Sequence, residues 1–138
     1  MKISVVTACG NKKADIPLPA WQLYNSPRIR AIYNRKGSHD MFILSAEYGL
    51  IPAEKIIAPY NRIMDEKRAQ ELIPYLKEVI KDYDVIVYFK AGARRLYEQC
   101  LEKACQESGV KLVSFGFGFM GGINELDSKI RMAEEGKT

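Results

Sequence analysis

Only three cysteines and one histidine occur among the 138 residues, and this scarcity removes several kinds of chemistry. Cys9, Cys100 and Cys105 form no C-x-x-C pair and no zinc-type spacing. Cys100 and Cys105 fall on a predicted helix nearly a turn and a half apart, so they share no face and read as small buried apolar residues. His39, in a polar Lys-Gly-Ser-His-Asp stretch, reads as a surface histidine. Neither a histidine-based zinc site nor a Ser/His/Asp triad has enough residues, so no metal is expected. Long apolar runs are missing too: Val85 to Phe89 is far too short to cross a bilayer. The stretch from Met1 to Val6 lacks the apolar region and cleavage site of an export signal, and charge returns at Lys12 and Lys13. No membrane association and a reducing cytoplasmic location are therefore expected. There is no Walker loop and no dinucleotide fingerprint, so no cofactor is expected either. A net charge of +4 is mild; it admits an anionic ligand or a nucleic acid without requiring one.

What is present fits one α/β domain over residues 1–138, with 134–138 as a frayed tail. The hydrophobic share of 47% beside 28% charged residues is ordinary for a globular chain. Ile3 to Ala8 is an apolar, β-branched run stopped by Cys9-Gly10-Asn11, which predicts a first strand. A long polar loop is expected from there to residue 20. Ser26-Pro27 predicts a helix start, with the helix running to about Lys36 and Gly37 ending it. Met41 to Ser45 predicts a second strand. Pro52 and Pro59 oppose a helix or a central strand between Ala46 and Tyr60, and an irregular stretch of that length is often functional.

Leu72, Ile73, Leu76, Val79 and Ile80 recur at helical spacing, with Pro74 predicting a late start, a kink or a division into two pieces. Val85 to Phe89 predicts the third strand and Val110 to Phe115 the fourth, with a helix between them opening near Lys90. A last helix is expected over Ile123 to Ala133. Strands alternating with helices predict a mainly parallel four-stranded sheet in a three-layer α/β/α sandwich. Ligands bind such sheets beyond the strand C-termini, where the strand order reverses.

Four segments reach that edge: Cys9 to Lys13, Ser45 to Tyr60, Lys90 to Arg95 and Gly116 to Gly122. Their glycines (Gly10, Gly49, Gly92, Gly116, Gly118) permit close approach of backbone to a ligand, or simply shape tight turns. Cys9 follows a strand and stands near Lys12 and Lys13, neighbours that favour a reactive thiolate; a buried, inert thiol is the alternative. Glu47 is placed to act as a general base, and Lys90 emerges directly after a buried strand. Cys9, Glu47 and Lys90 are accordingly the candidate catalytic residues. Lys13, Tyr24, Ser26, Arg30, Ser45, Tyr48 and Tyr60, with Gly10, Gly49, Gly92, Gly116 and Gly118, are candidate ligand contacts. Arg28 belongs to the same basic group or merely solvates a helix face. Arg94 and Arg95 open a helix, where the macrodipole disfavours cations, and a bound anion would offset that cost. Tyr24, Tyr48, Tyr60, Phe117 and Phe119 either stack on a base or pack in the core.

The run from Phe42 to Pro52 (FILSAEYGLIP), followed by Ala58-Pro59-Tyr60, resembles a signature of the YaaA-like peroxide-stress proteins and of smaller stand-alone domains of unassigned function. Cys9-Gly10-Asn11-Lys12-Lys13, Pro19-Ala20, Leu23-Tyr24-Asn25-Ser26, Arg30, Ala91-Gly92 with Tyr97, and Gly116 to Gly122 fit the pattern of the smaller group. A looser similarity reaches the core domain of archaeosine synthase through Cys9, Lys13, Ser26-Pro27, Ser45, Gly49 and Pro52. This chain departs from that pattern at Pro52-Ala53-Glu54. These resemblances imply a nucleobase or nucleic-acid connection without transferring a reaction. Three functions follow as expectations. The first is an enzyme acting on a nucleobase or nucleoside, such as a transferase or glycosidase. The second is a non-catalytic nucleic-acid-binding module using Lys12, Lys13, Arg28, Arg30, Arg94 and Arg95. The third is a protein-interaction domain. Strand order and oligomeric state stay open.

Overall fold

A computed structural model describes residues 1–10 and 13–136. Its centre is a five-stranded, mostly parallel sheet. Strands β1 (Ile3–Ala8), β3 (Asp40–Ser45), β6 (Val85–Phe89) and β7 (Lys111–Phe115) run parallel, and β4 (Gly49–Pro52) is antiparallel to β3. Their order is β4-β3-β1-β6-β7. β1, β6 and all of β3 beyond Asp40 are buried, as continuous apolar strands covered on both faces should be.

Side chains alternate across the sheet. Val6, Ala8, Phe42, Leu44, Ile86 and Tyr88 share one apolar cluster with α3 (Glu66–Ile80) and α4 (Arg95–Ser108). Val5, Met41, Ile43, Val85, Val87 and Phe89 share the other with α1 (Ala20–Leu23), α2 (Pro27–Arg35) and α5 (Leu126–Glu134). No helix among the described residues is long and apolar enough to cross a membrane.

The helix boundaries follow local chemistry. The Ser26 hydroxyl accepts from the Ile29 amide at 3.3 Å and Pro27 occupies the first helical position of α2. Asp65 caps α3 by accepting from the Arg68 amide at 2.7 Å. α3 continues through Pro74 without dividing. Pro74 and Gln70, whose carbonyl loses its helical partner, both lie on the exposed face, where water can replace the lost bond.

The sheet has one strand more than the four expected. Gly49 to Pro52 hides from a sequence reading because it is short and ends in proline. An antiparallel edge strand tolerates that proline, since its missing N–H faces away from the sheet. The polar stretch before α1 is also less loose than expected. Leu18–Pro19 (β2) pairs with Ile56–Ile57 (β5), which ties two connections together. The helix after β6 begins at Arg95, later than expected, and the last helix is preceded by a 3-10 turn over Ile123–Glu125.

Candidate functional site

From β1 the chain crosses to β3 on one side, and it later returns to place β6 on the other. The C-terminal ends of β1 and β6 therefore flank a crevice at the reversal point. A cleft of about 1110 Å³ opens there. Cys9 and Gly10 enter it from the end of β1, Gly92, Ala93 and Arg94 from the end of β6, and Gly118 and Phe119 from beyond β7. Asn25 to Arg28 at the start of α2 and Asn61 to Ile63 ahead of α3 complete the wall, with Lys13 and Tyr97. Among the described residues, the lining holds Lys13, Arg28, Arg62 and Arg94 and no aspartate or glutamate.

Cys9 is held from two sides. Its amide donates to the Leu44 carbonyl at 2.9 Å, and Sγ lies 3.3 Å from the Tyr97 hydroxyl. Burial pushes the Tyr97 hydroxyl well above its usual range, and Cys9 beside it pushes the same way. Tyr97 therefore stays neutral and can donate to the sulfur. Cys100 and Cys105 are sealed in the core, and burial pushes both thiols up to about 12. A short pulse of iodoacetamide at neutral pH should thus alkylate Cys9 alone, with the site read by peptide mass spectrometry. Modification of Cys100 or Cys105 at a comparable rate would contradict the packing described.

The expected site residues divide. Cys9, Gly10, Lys13, Ser26, Gly92 and Gly118 line the cleft, as do Arg28, Arg94 and Phe119. Glu47 and Lys90 do not join Cys9 there. Glu47 pairs with Arg62 at 3.8 Å, and Lys90 lies 3.9 Å from Glu98. Tyr24, Ser45 and Tyr60 form a hydrogen-bonded group: the Tyr24 and Tyr60 hydroxyls are 2.6 Å apart, and Ser45 Oγ donates to Tyr60 Oη at 2.8 Å. This group reaches the cleft through Lys13, whose Nζ stands 4.5 Å from the centre of the Tyr60 ring.

Tyr48 donates to the Ala58 carbonyl at 2.9 Å. Arg30 is exposed on α2 outside the lining, while Gly49 and Gly116 shape backbone at positive φ. Lys12 lies outside the described residues. Asn25, Asn61, Arg62, Ile63 and Tyr97 are cleft residues that sequence reasoning did not single out as site candidates. Asn61 to Ile63 carry no periodic pattern, and only their place after Pro59-Tyr60, in a stretch too irregular to be core, could have marked them.

Among the described residues, no three His, Cys, Asp or Glu side chains gather as a metal site. A family model described as a family of unknown function, DUF6884, matches residues 4–115, which takes in β1 from its second residue through to the end of β7. The chain belongs to the DUF6884 family. Comparison with curated proteins and with solved structures gives no match. The matched span carries every cleft residue except Gly118 and Phe119.

Proposed function

We propose that this DUF6884 domain binds a nucleobase-bearing ligand, a nucleotide or a nucleic-acid strand, in the strand-end cleft. The observation that carries this reading is the composition of the lining among the described residues: four cationic side chains, no carboxylate, and an aromatic ring, Phe119, at 63% exposure. Arg62 is partly neutralised by Glu47 and Glu71, yet a lining in which cations outnumber carboxylates favours an anionic partner, and an exposed ring beside them suits base stacking. Taking the two helical groups as the outer layers of an α/β/α sandwich leaves this edge of the sheet as the natural place for a ligand. The resemblance to the YaaA-like proteins, and with it a role in stress response, belongs to the same proposal. So does a reducing cytoplasmic setting, which suits three free thiols. With Glu47 and Lys90 outside the lining, binding is the better-supported role. Any covalent chemistry in the cleft would have Cys9 as its nucleophile.

Fluorescence anisotropy with short labelled DNA and RNA strands, and calorimetry with mononucleotides, test the proposal. Binding should weaken as salt rises, as release of counterions requires. Phe119→Ala should cost about 1–3 kcal/mol of affinity for a stacked base, and Arg62→Gln should flatten the salt dependence. Absence of binding to any nucleoside, nucleotide or strand at low salt would end this reading.

A further inference from the structure

We propose that the floor of the cleft is a phosphomonoester subsite with Arg28 as its anion-binding residue, an inference that rests on the nucleobase-ligand reading above and narrows it. Arg28 is only 7% exposed, yet it lines the cleft. Its Nη1 donates to Thr7 Oγ1 and, at 2.9 Å, to the Ala8 carbonyl. Both acceptors are neutral. The Nε and Nη2 groups find no acceptor among the described residues, and no carboxylate there pairs with the guanidinium. Burial pulls Arg28 below its ordinary pKa, but a guanidinium still keeps its charge. A buried cation is normally paired with an anion. Here the free donors belong to a side chain on the cleft wall, so the missing counter-charge is one that a ligand would bring.

The backbone around Arg28 favours the same kind of group. The first residues of α2 and the segment leading into α4 both border the cleft, bringing the positive ends of two helix dipoles to one place. Arg94, the N-cap of α4, supplies no side-chain acceptor to the helix, and Arg95 follows it directly. Two cations at a helix N-terminus are unfavourable alone and become favourable beside an anion.

The depth of Arg28 then decides which phosphate fits. An internal phosphodiester carries a sugar on each side and cannot lower its charge to a guanidinium this covered. A terminal phosphate has one bare end, and near neutral pH it carries close to two charges. The ligand is therefore a mononucleotide or the phosphorylated end of a strand, with its base held higher in the cleft, where Phe119 lies.

Inorganic phosphate is the first probe. Against chloride at equal ionic strength, it should raise the melting temperature of the wild-type protein. In calorimetry a nucleoside monophosphate should bind about ten- to a hundred-fold tighter than its nucleoside. A strand with a terminal phosphate should show the same advantage over its unphosphorylated form, and whichever of the two phosphorylated ligands binds tighter identifies the natural source. Arg28→Lys, checked for folding by circular dichroism, should lose this preference while still binding the nucleoside. Should that variant not fold, the wild-type comparisons decide alone. Equal binding of phosphorylated and unphosphorylated ligands would overturn the subsite and leave the nucleobase reading standing. Stabilisation by phosphate without binding of any nucleoside or nucleotide would do the reverse.

Discussion

Gly116→Ala is expected to destabilise the fold by about 2–5 kcal/mol. Two independent penalties meet at this residue. Its φ of +96° lies in the region that L side chains rarely adopt. A Cβ there would also stand 2.8 Å from Cε2 and 3.0 Å from Cδ2 of Phe89. That ring cannot retreat, because Phe89 is fully buried and packs edge-on against Phe115 with ring centres 5.2 Å apart.

The backbone term costs about 1–2 kcal/mol, and displacing a packed core ring costs about 1–3 kcal/mol more. Gly118→Ala is the control. Its φ is +54°, but a Cβ there meets nothing within 4 Å, so only the backbone term of about 1–2 kcal/mol applies. Urea unfolding of the two variants separates the terms. If they lose the same stability, Phe89 is not the wall described, and the glycine-rich segment serves the turn alone.

Gly116 also shows what a sequence can and cannot disclose about this site. Apolar runs punctuated by Cys9-Gly10, Lys90-Ala91-Gly92 and Gly116 to Gly122 mark where strands end, because such runs form buried parallel strands and glycines break them. The ends of β1 and β6, with Gly118 and Phe119 beyond β7, do meet in one cleft. Linear order, however, is silent on which strands are neighbours. β3 lies on the far side of β1 from β6, so Ser45 and Glu47 end beside the β4 hairpin and not at the reversal point.

Lys90 does emerge at a strand end, as expected, yet the position gives no direction, and its amine stands near Glu98 on α4. Arg28 is the opposite case. Its spacing on an amphipathic helix is equally compatible with a solvated face, and only the fold shows that it passes inward to Thr7 and Ala8. The long-range pairing of β2 with β5 depends on tertiary contacts that local patterns do not encode.

Ser45→Ala is expected to cost about 2–4 kcal/mol, more than removing a surface hydroxyl should. Ser45 closes β3 at 0% exposure, and its hydroxyl has three partners. It donates to Tyr60 Oη at 2.8 Å and accepts from the amides of Glu47 and Tyr48, each at 3.1 Å. Alanine strands both amides and removes a donor from Tyr60, and each unmet group in partial burial costs about 1–3 kcal/mol before water relieves it.

The rest of the network cannot compensate by ionising. Burial holds the Tyr24 and Tyr60 hydroxyls far above their usual range, so both stay neutral across the pH range in which the fold persists. Tyr60→Phe should be milder, at about 1 kcal/mol, since Ser45 would keep both amides. The double variant should cost less than the sum of the two, because each single change already breaks the same Ser45–Tyr60 bond. Loosening Tyr60 also removes the ring that Lys13 rests against, so nucleotide affinity should fall in Ser45→Ala even at temperatures where the protein remains folded. Additive costs, with affinity untouched, would mean that the hydroxyl cluster stabilises the hairpin and has no part in positioning Lys13.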